Sequence, residues 1–285
     1  MSISTSRGRP VGTPRRRLAS RVAGAAVGAL LILALGWLAW LKAPAAPSAR
    51  LHSTLQALAT RPCAALQVIG VRGHGDPPTD VGPDVHALIL RLQARLAEGS
   101  RADVVPLPYE QTRGLWGAPL WVPRDVITGA RALEEYVGAR AAACPQESKV
   151  VIAQSEGAAL AHLAIPRVAA SVRATVLLGD PLHFSSAPYN ENLGPAPHGS
   201  LVPVMGFGID LSRRTWVDPV PSVLASKVRS YCLPHDHVCG QDLFDRQASA
   251  HLDYRHNRAV SHSSRGVLDL AVDFMAARLT GGGAE

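Results

Sequence analysis

The stretch KVVIAQSEGAALAHL, residues 149–163, decides how this chain is read. Lys149 to Gln154 form a short apolar run suited to a buried strand, and small and apolar residues recur at helical spacing from Gly157 onward. Ser155 stands between the two. A serine before a helix is commonly an N-cap with no further role. Alternatively, a sharp turn from strand to helix exposes a side chain at the end of a sheet, where it can attack a substrate. The flanking chain favours the second reading.

Strand and helix patterns alternate on both sides of this stretch. Strands are expected at 64–71, 102–109, 149–154, 174–180 and 227–233. Helices are expected at 86–99, 124–143, 156–165 and 263–279, the first ended by Gly99. Apolar strands alternating with helices predict an α/β fold whose mostly parallel sheet is covered on both faces. Residues 181–226 are rich in Pro and Gly and too long for a plain connection. Ligands bind beyond the carboxyl ends of parallel strands, and Ser155 lies at such an end. The start of the following helix favours a developing oxyanion there.

Charge divides the chain unevenly. Residues 1–49 hold Arg7, Arg9, Arg15, Arg16, Arg17, Arg21 and Lys42 and no acidic residue, leaving 22 basic against 22 acidic residues elsewhere. The net charge of +7 therefore belongs to the N-terminal segment, and nothing in the remainder suggests nucleic-acid binding. Val22–Leu41 is a run of 20 uncharged residues, about enough as a helix to cross a ~30 Å hydrocarbon core. Six arginines before it place the N-terminus in the cytoplasm and the remainder outside. The run exceeds a signal-peptide core, so it reads as a transmembrane anchor, with cleavage near 43–45 or 47–49 and secretion as the alternative. The expected organisation is a basic cytoplasmic segment (1–21), an anchor or signal (22–41), a linker (42–59) and a catalytic domain (60–285).

Export places Cys63, Cys144, Cys232 and Cys239 in an oxidising compartment, where two disulfides in one of three pairings are expected. A zinc site on Cys232, His235, His237 and Cys239 is the competing arrangement, but it crowds four ligands into eight residues. A nucleophilic serine also needs a base and an orienting acid. Asp180 and Asp236 follow strands, and Asp236 lies inside the CLPHDHVC loop at 232–239. His237 is too close in sequence to turn back on Asp236, while His251, His256 and His262 stay open as bases.

Taken together, Cys63, VIGVRGHGD (68–76), CP (144–145), AQSEGA (153–158), CLPHDHVC (232–239) and HLDY (251–254) resemble the cutinase family. The resemblance covers about residues 60–280 and implies a compact α/β-hydrolase that cleaves lipid, cutin-like or acetyl esters without cofactor or metal. It implies Ser155 as nucleophile, His251 as general base and Asp236 as orienting acid. The oxyanion donors would be the backbone N–H groups of Glu156 and His74, and the disulfides Cys63–Cys144 and Cys232–Cys239. An anchored form resembles cutinase-like proteins of actinobacterial cell envelopes. Two positions depart from the family: Glu156 replaces a Gln, and His74 replaces a Ser or Thr whose hydroxyl donates to the oxyanion. A carboxylate at 156 opposes that charge unless it points away or pairs with a cation such as Arg72. His235 also stands where the family often has Gly.

Overall fold

A computed structural model describes residues 46–96, 101–112, 118–191, 193, 198–205, 209–210, 215–216, 218–240, 248–256 and 265–280. It also describes Gly28, Leu31, Ile32, Leu33, Leu35 and Gly36, all helical. Most of Val22–Leu41 and all of residues 1–21 thus lie outside the described residues. Among those described, no helix is long and apolar enough to cross a membrane. The chain divides into two units, Met1–Ala43 and Pro44–Glu285, and the sheet with its covering helices belongs to the second.

The elements of this second unit in chain order are α1 (Ala49–Ala59), β1 (Leu66–Val71), α2 (Pro83–Arg95), β2 (Asp103–Pro106), α3 (Ala118–Ala143) and β3 (Ser148–Gln154). They continue with α4 (Glu156–Val168), β4 (Ala174–Leu178), β5 (Asn190–Glu191), the short α5 (Val202–Met205), β6 (Ile209–Asp210) and β7 (Thr215–Trp216). The last are β8 (Val228–Tyr231), α6 (His237–Gly240) and α7 (Val267–Thr280). The main sheet has the order β2-β1-β3-β4-β8-β5, with each neighbouring pair parallel. β1 and β3 run in register from Leu66 opposite Ser148 to Val71 opposite Ala153.

Side chains alternate between two buried layers, because successive residues of a strand face opposite sides of the sheet. Ile69, Val71, Val151, Ala153 and Leu177 pack against α1, α3 and α4. Val68, Val150, Ile152, Val176 and Leu178 pack against α2 and α7. Both faces are covered, so β1 and β4 are buried along their whole length.

One expectation needs correction. Residues 42–59 read as a linker, yet Ala49–Ala59 folds into α1. Ser48 caps it by accepting a hydrogen bond from the Leu51 N–H, and Leu51, Leu55 and Ala59 repeat every fourth residue on its buried face. The far end is tied down by fully buried Arg140 of α3, which donates to the carbonyls of Ala59, Arg61 and Pro62 and pairs with Glu147. The Ala/Pro composition up to Ala49 hid this helix.

Candidate active site

β3 ends at Gln154, and the chain turns into α4 through Ser155 at φ 57° and ψ −126°. A non-glycine residue rarely adopts positive φ, and the strain is the cost of a sharp strand-to-helix turn. Its N–H is held by the Leu178 carbonyl at 2.9 Å. The turn also brings α4 very close to β1: a Cβ on Gly157 would sit 2.3 Å from the Arg72 carbonyl oxygen and 2.5 Å from that of Val71. Only glycine fits there.

The Ser155 side chain makes no capping hydrogen bond to α4. Its Oγ lies 2.8 Å from His251 Nε2, and His251 Nδ1 lies 3.0 Å from both carboxylate oxygens of Asp236. The fold therefore brings together three residues separated by up to 96 positions. His251 lies in a 3-10 turn over Ala248–Leu252, and Asp236 lies just before α6.

Asp236 is buried and bound on every side. It accepts from the Val238 N–H at 2.9 Å and from the Tyr254 hydroxyl at 2.8 Å. Burial alone would raise its carboxyl pKa, but His251, Tyr254 and the Val238 N–H outweigh that and hold it below the usual range. The Cys232–Cys239 disulfide, with Cα atoms 5.8 Å apart, closes the loop around it. Because these two sulfurs are bonded to each other, they are not zinc ligands. His235 in the same loop takes φ 67°, the conformation a glycine adopts most readily. Gly179 borders the pair: a Cβ there would lie 2.8 Å from Asp236 Oδ2 and 2.9 Å from His251 Cε1. Cys63–Cys144 sits at the other end of the sheet, ahead of β1 and β3.

The remaining sequence candidates fall elsewhere. Asp180 is fully buried and bonds His162 at 2.5 Å, not His251. His256 bonds Asp253, and His262 lies outside the described residues. Tyr254, the last residue of HLDY, carries a role that sequence reading missed: its hydroxyl joins Asp236 to the Tyr231 carbonyl and the Leu233 N–H.

Beside Ser155 runs the turn after β1. Arg72 donates to the carbonyls of Asp76, Leu107 and Tyr109 and stacks 4.1 Å over the Tyr109 ring. It is therefore not the cation paired with Glu156. That partner is His74, whose Nδ1 lies 2.7 Å from Glu156 Oε2. The Glu156 bond raises the His74 pKa against the opposing effect of burial. The Glu156 N–H opens α4, where an N–H has no intrahelical acceptor and is available to a ligand.

A three-layer α/β fold with a serine on a strained turn, a histidine and a buried aspartate defines a hydrolase-type site. The cutinase family model matches residues 62–266, and the chain belongs to that family. A cutinase of Kineococcus radiotolerans is 26% identical over 208 residues, 71% of this chain. The match spans only 60% of that relative's length. Among solved structures, the catalytic core domain of an acetyl xylan esterase from Trichoderma reesei superposes with a TM-score of 0.57 at 18% identity, over 76% of this chain and all of that one. A cutinase-like protein from Cryptococcus sp. gives 0.55 at 21% identity, covering 79% of this chain and 99% of the other. These two likenesses concern the fold.

Proposed function

We propose that this chain is an exported serine esterase that cleaves carboxylic esters through Ser155, His251 and Asp236. The observation that carries the reading is His251, bonded on one side to Ser155 Oγ at 2.8 Å and on the other to Asp236 at 3.0 Å. With Nδ1–H donated to the carboxylate, Nε2 presents its lone pair to the serine hydroxyl. Ser155 attacks the ester carbonyl as His251 takes its proton. The backbone N–H groups of Glu156 and His74 hold the oxyanion. His251 then returns the proton to the leaving alcohol, and water releases the acyl group by the same steps in reverse order.

The substrate class is an acyl-lipid, cutin-like polyester or acetylated-glycan ester. The uncharged run Val22–Leu41 behind six arginines supports an envelope location, with the N-terminus cytoplasmic and the site outside. A second reading, a catalytically impaired envelope protein that binds lipid or glycan, draws on the carboxylate of Glu156 beside the nucleophile. A fluorophosphonate separates the two: Ser155 Oγ displaces fluoride and forms a stable adduct. The expected result is one adduct, mapped to Ser155 by mass spectrometry and lost in His251→Ala. No adduct, or one on another residue, would favour the binding protein.

A further inference from the structure

Glu156 is 2% exposed, stands immediately after the nucleophile, and has one carboxylate oxygen, Oε1, buried without a hydrogen-bond partner among the described residues. Its other oxygen is held by His74 at 2.7 Å. The two positions at which this chain departs from its family around the oxyanion are therefore in contact with each other. Residue 74 lies beside the nucleophile, since a Cβ on neighbouring Gly73 would be 3.3 Å from Ser155 Cβ.

We propose that His74 and Glu156 act as one unit: the His74 imidazolium cancels the Glu156 carboxylate, so that an acidic residue is tolerated at the oxyanion site while His74 is protonated. This rests on the esterase reading above. Each single departure is harmful by itself. A buried, uncompensated carboxylate next to Ser155 repels the negative charge that forms on the substrate oxygen, and a histidine at 74 lacks the hydroxyl donor. In the pair, the Nδ1–H is fixed on Glu156, and the proton that titrates is the one on Nε2. Loss of that proton removes the one positive charge in contact with Glu156 among the described residues, leaving only the more distant charge of Arg72. His74 is a positioning residue acting through Glu156, and its charge sets an alkaline limit on turnover.

The groups around the pair allow this assignment. From α3, Asp125 faces both residues but is occupied by the Thr112 N–H at 2.7 Å and the Thr112 hydroxyl at 3.0 Å. From the turn after β1, Arg72 acts on Glu156 by charge alone, its N–H groups being engaged by three carbonyls, and Asp76 accepts the Gly73 N–H at 3.1 Å. From the segment after β2, the Tyr109 hydroxyl donates to the Arg72 carbonyl at 3.0 Å and faces Glu156; burial and the Glu156 carboxylate hold its pKa well above the ordinary tyrosine value, so it stays neutral and does not compensate that charge. His74, with its side chain about a third exposed, is the group of this set that exchanges protons with solvent near neutral pH.

The test is a pH–rate profile of kcat/KM for a water-soluble ester, using the full chain in detergent, for wild type, H74A, E156Q and H74A/E156Q; Ala removes the imidazole without adding a hydroxyl donor. Wild type is expected to lose rate on the alkaline side, and E156Q to lose that limb. H74A should be slower by about ten- to a hundredfold, the range for one poorly compensated charge near the oxyanion at an effective dielectric of ~20. Adding E156Q to H74A should recover most of that loss. A double variant as slow as the product of the single effects, or an alkaline limb unchanged in E156Q, overturns the pair. NMR titration of the His74 ring gives a readout independent of turnover: its midpoint should fall in E156Q, and an unchanged midpoint contradicts the coupling. Ser155→Ala is the control. Wild type no faster than Ser155→Ala removes the esterase reading itself, whereas an active wild type without rescue removes the pair alone.

Discussion

Replacing Tyr254 with Phe tests how Asp236 is held. The ring stays packed against α2 and α7, and only the hydroxyl goes. Three bonds go with it: to Asp236 Oδ2 at 2.8 Å, to the Tyr231 carbonyl at 3.2 Å and from the Leu233 N–H at 3.2 Å. A hydrogen bond to a buried charge is worth about 1.5–3 kcal/mol, and an N–H left without an acceptor costs about 1–3 kcal/mol. The sum, roughly 2–4 kcal/mol after relaxation, lowers Tm by about 5–15 °C in a domain of this size. Asp236 keeps the Val238 N–H and His251, so it stays ionised at neutral pH. If about 1.4 kcal/mol of the lost interaction orients the imidazole, kcat falls about tenfold with little change in KM. The sign with pH follows from the direction of the Asp236 shift. A carboxyl held below its ordinary value contributes stability above that value and loses it as pH falls through the folded pKa. Tyr254→Phe raises the folded pKa, so acid unfolding begins at higher pH. Thermal melts and steady-state kinetics of the full chain check both parts. Unchanged Tm and kcat would refute the assigned role of Tyr254.

The two disulfides should behave differently. Opening Cys232–Cys239 by a double Ala substitution costs about 2.5 kcal/mol by loop entropy and, by freeing Asp236, slows kcat about ten- to a hundredfold. Opening Cys63–Cys144 costs more, about 4.5 kcal/mol, yet leaves kcat per folded molecule unchanged, because it lies at the far end of the sheet. Denaturant titration and active-site counting separate the two effects. A pH effect on stability is expected from His162, buried between Asp180 at 2.5 Å and Asp218 at 3.3 Å. Burial opposes its charge, but the two carboxylates win and push its pKa up to about 9. The stabilisation is full below the free imidazole pKa of ~6.5 and is lost as pH rises through the folded value. Asp218→Asn should shift that loss to lower pH in denaturant midpoints measured between pH 6 and 10, and identical curves would count against it.

Much of the sheet was legible because its strands are buried on both faces and so appear as uninterrupted apolar runs. The expected strand at 149–154 is observed at Ser148–Gln154, and that at 174–180 at Ala174–Leu178. α1 was not legible, because a Pro/Ala stretch leads into it and its buried stripe is only three residues wide. β5 was hidden for another reason: two residues, Asn190 and Glu191, pair with β8 and carry no apolar signal. The site was legible as residue types at strand ends, but chemistry alone left several histidines open, and their choice rested on the resemblance. The pairing of His74 with Glu156 was out of reach, since 82 residues separate them and neither bears a local pattern. Arg72 is the cation that the sequence offers for Glu156, but the N–H groups of its guanidinium are taken by neighbouring carbonyls.

The central claim is that Ser155 attacks esters. Its most direct test is hydrolysis of p-nitrophenyl esters, from acetyl to palmitoyl, by the full chain beside a folded Ser155→Ala variant. The account predicts turnover by the wild type on part of the series and its loss in the variant, to the level of buffer. Equal rates from the two proteins, or no rate from either, would contradict it.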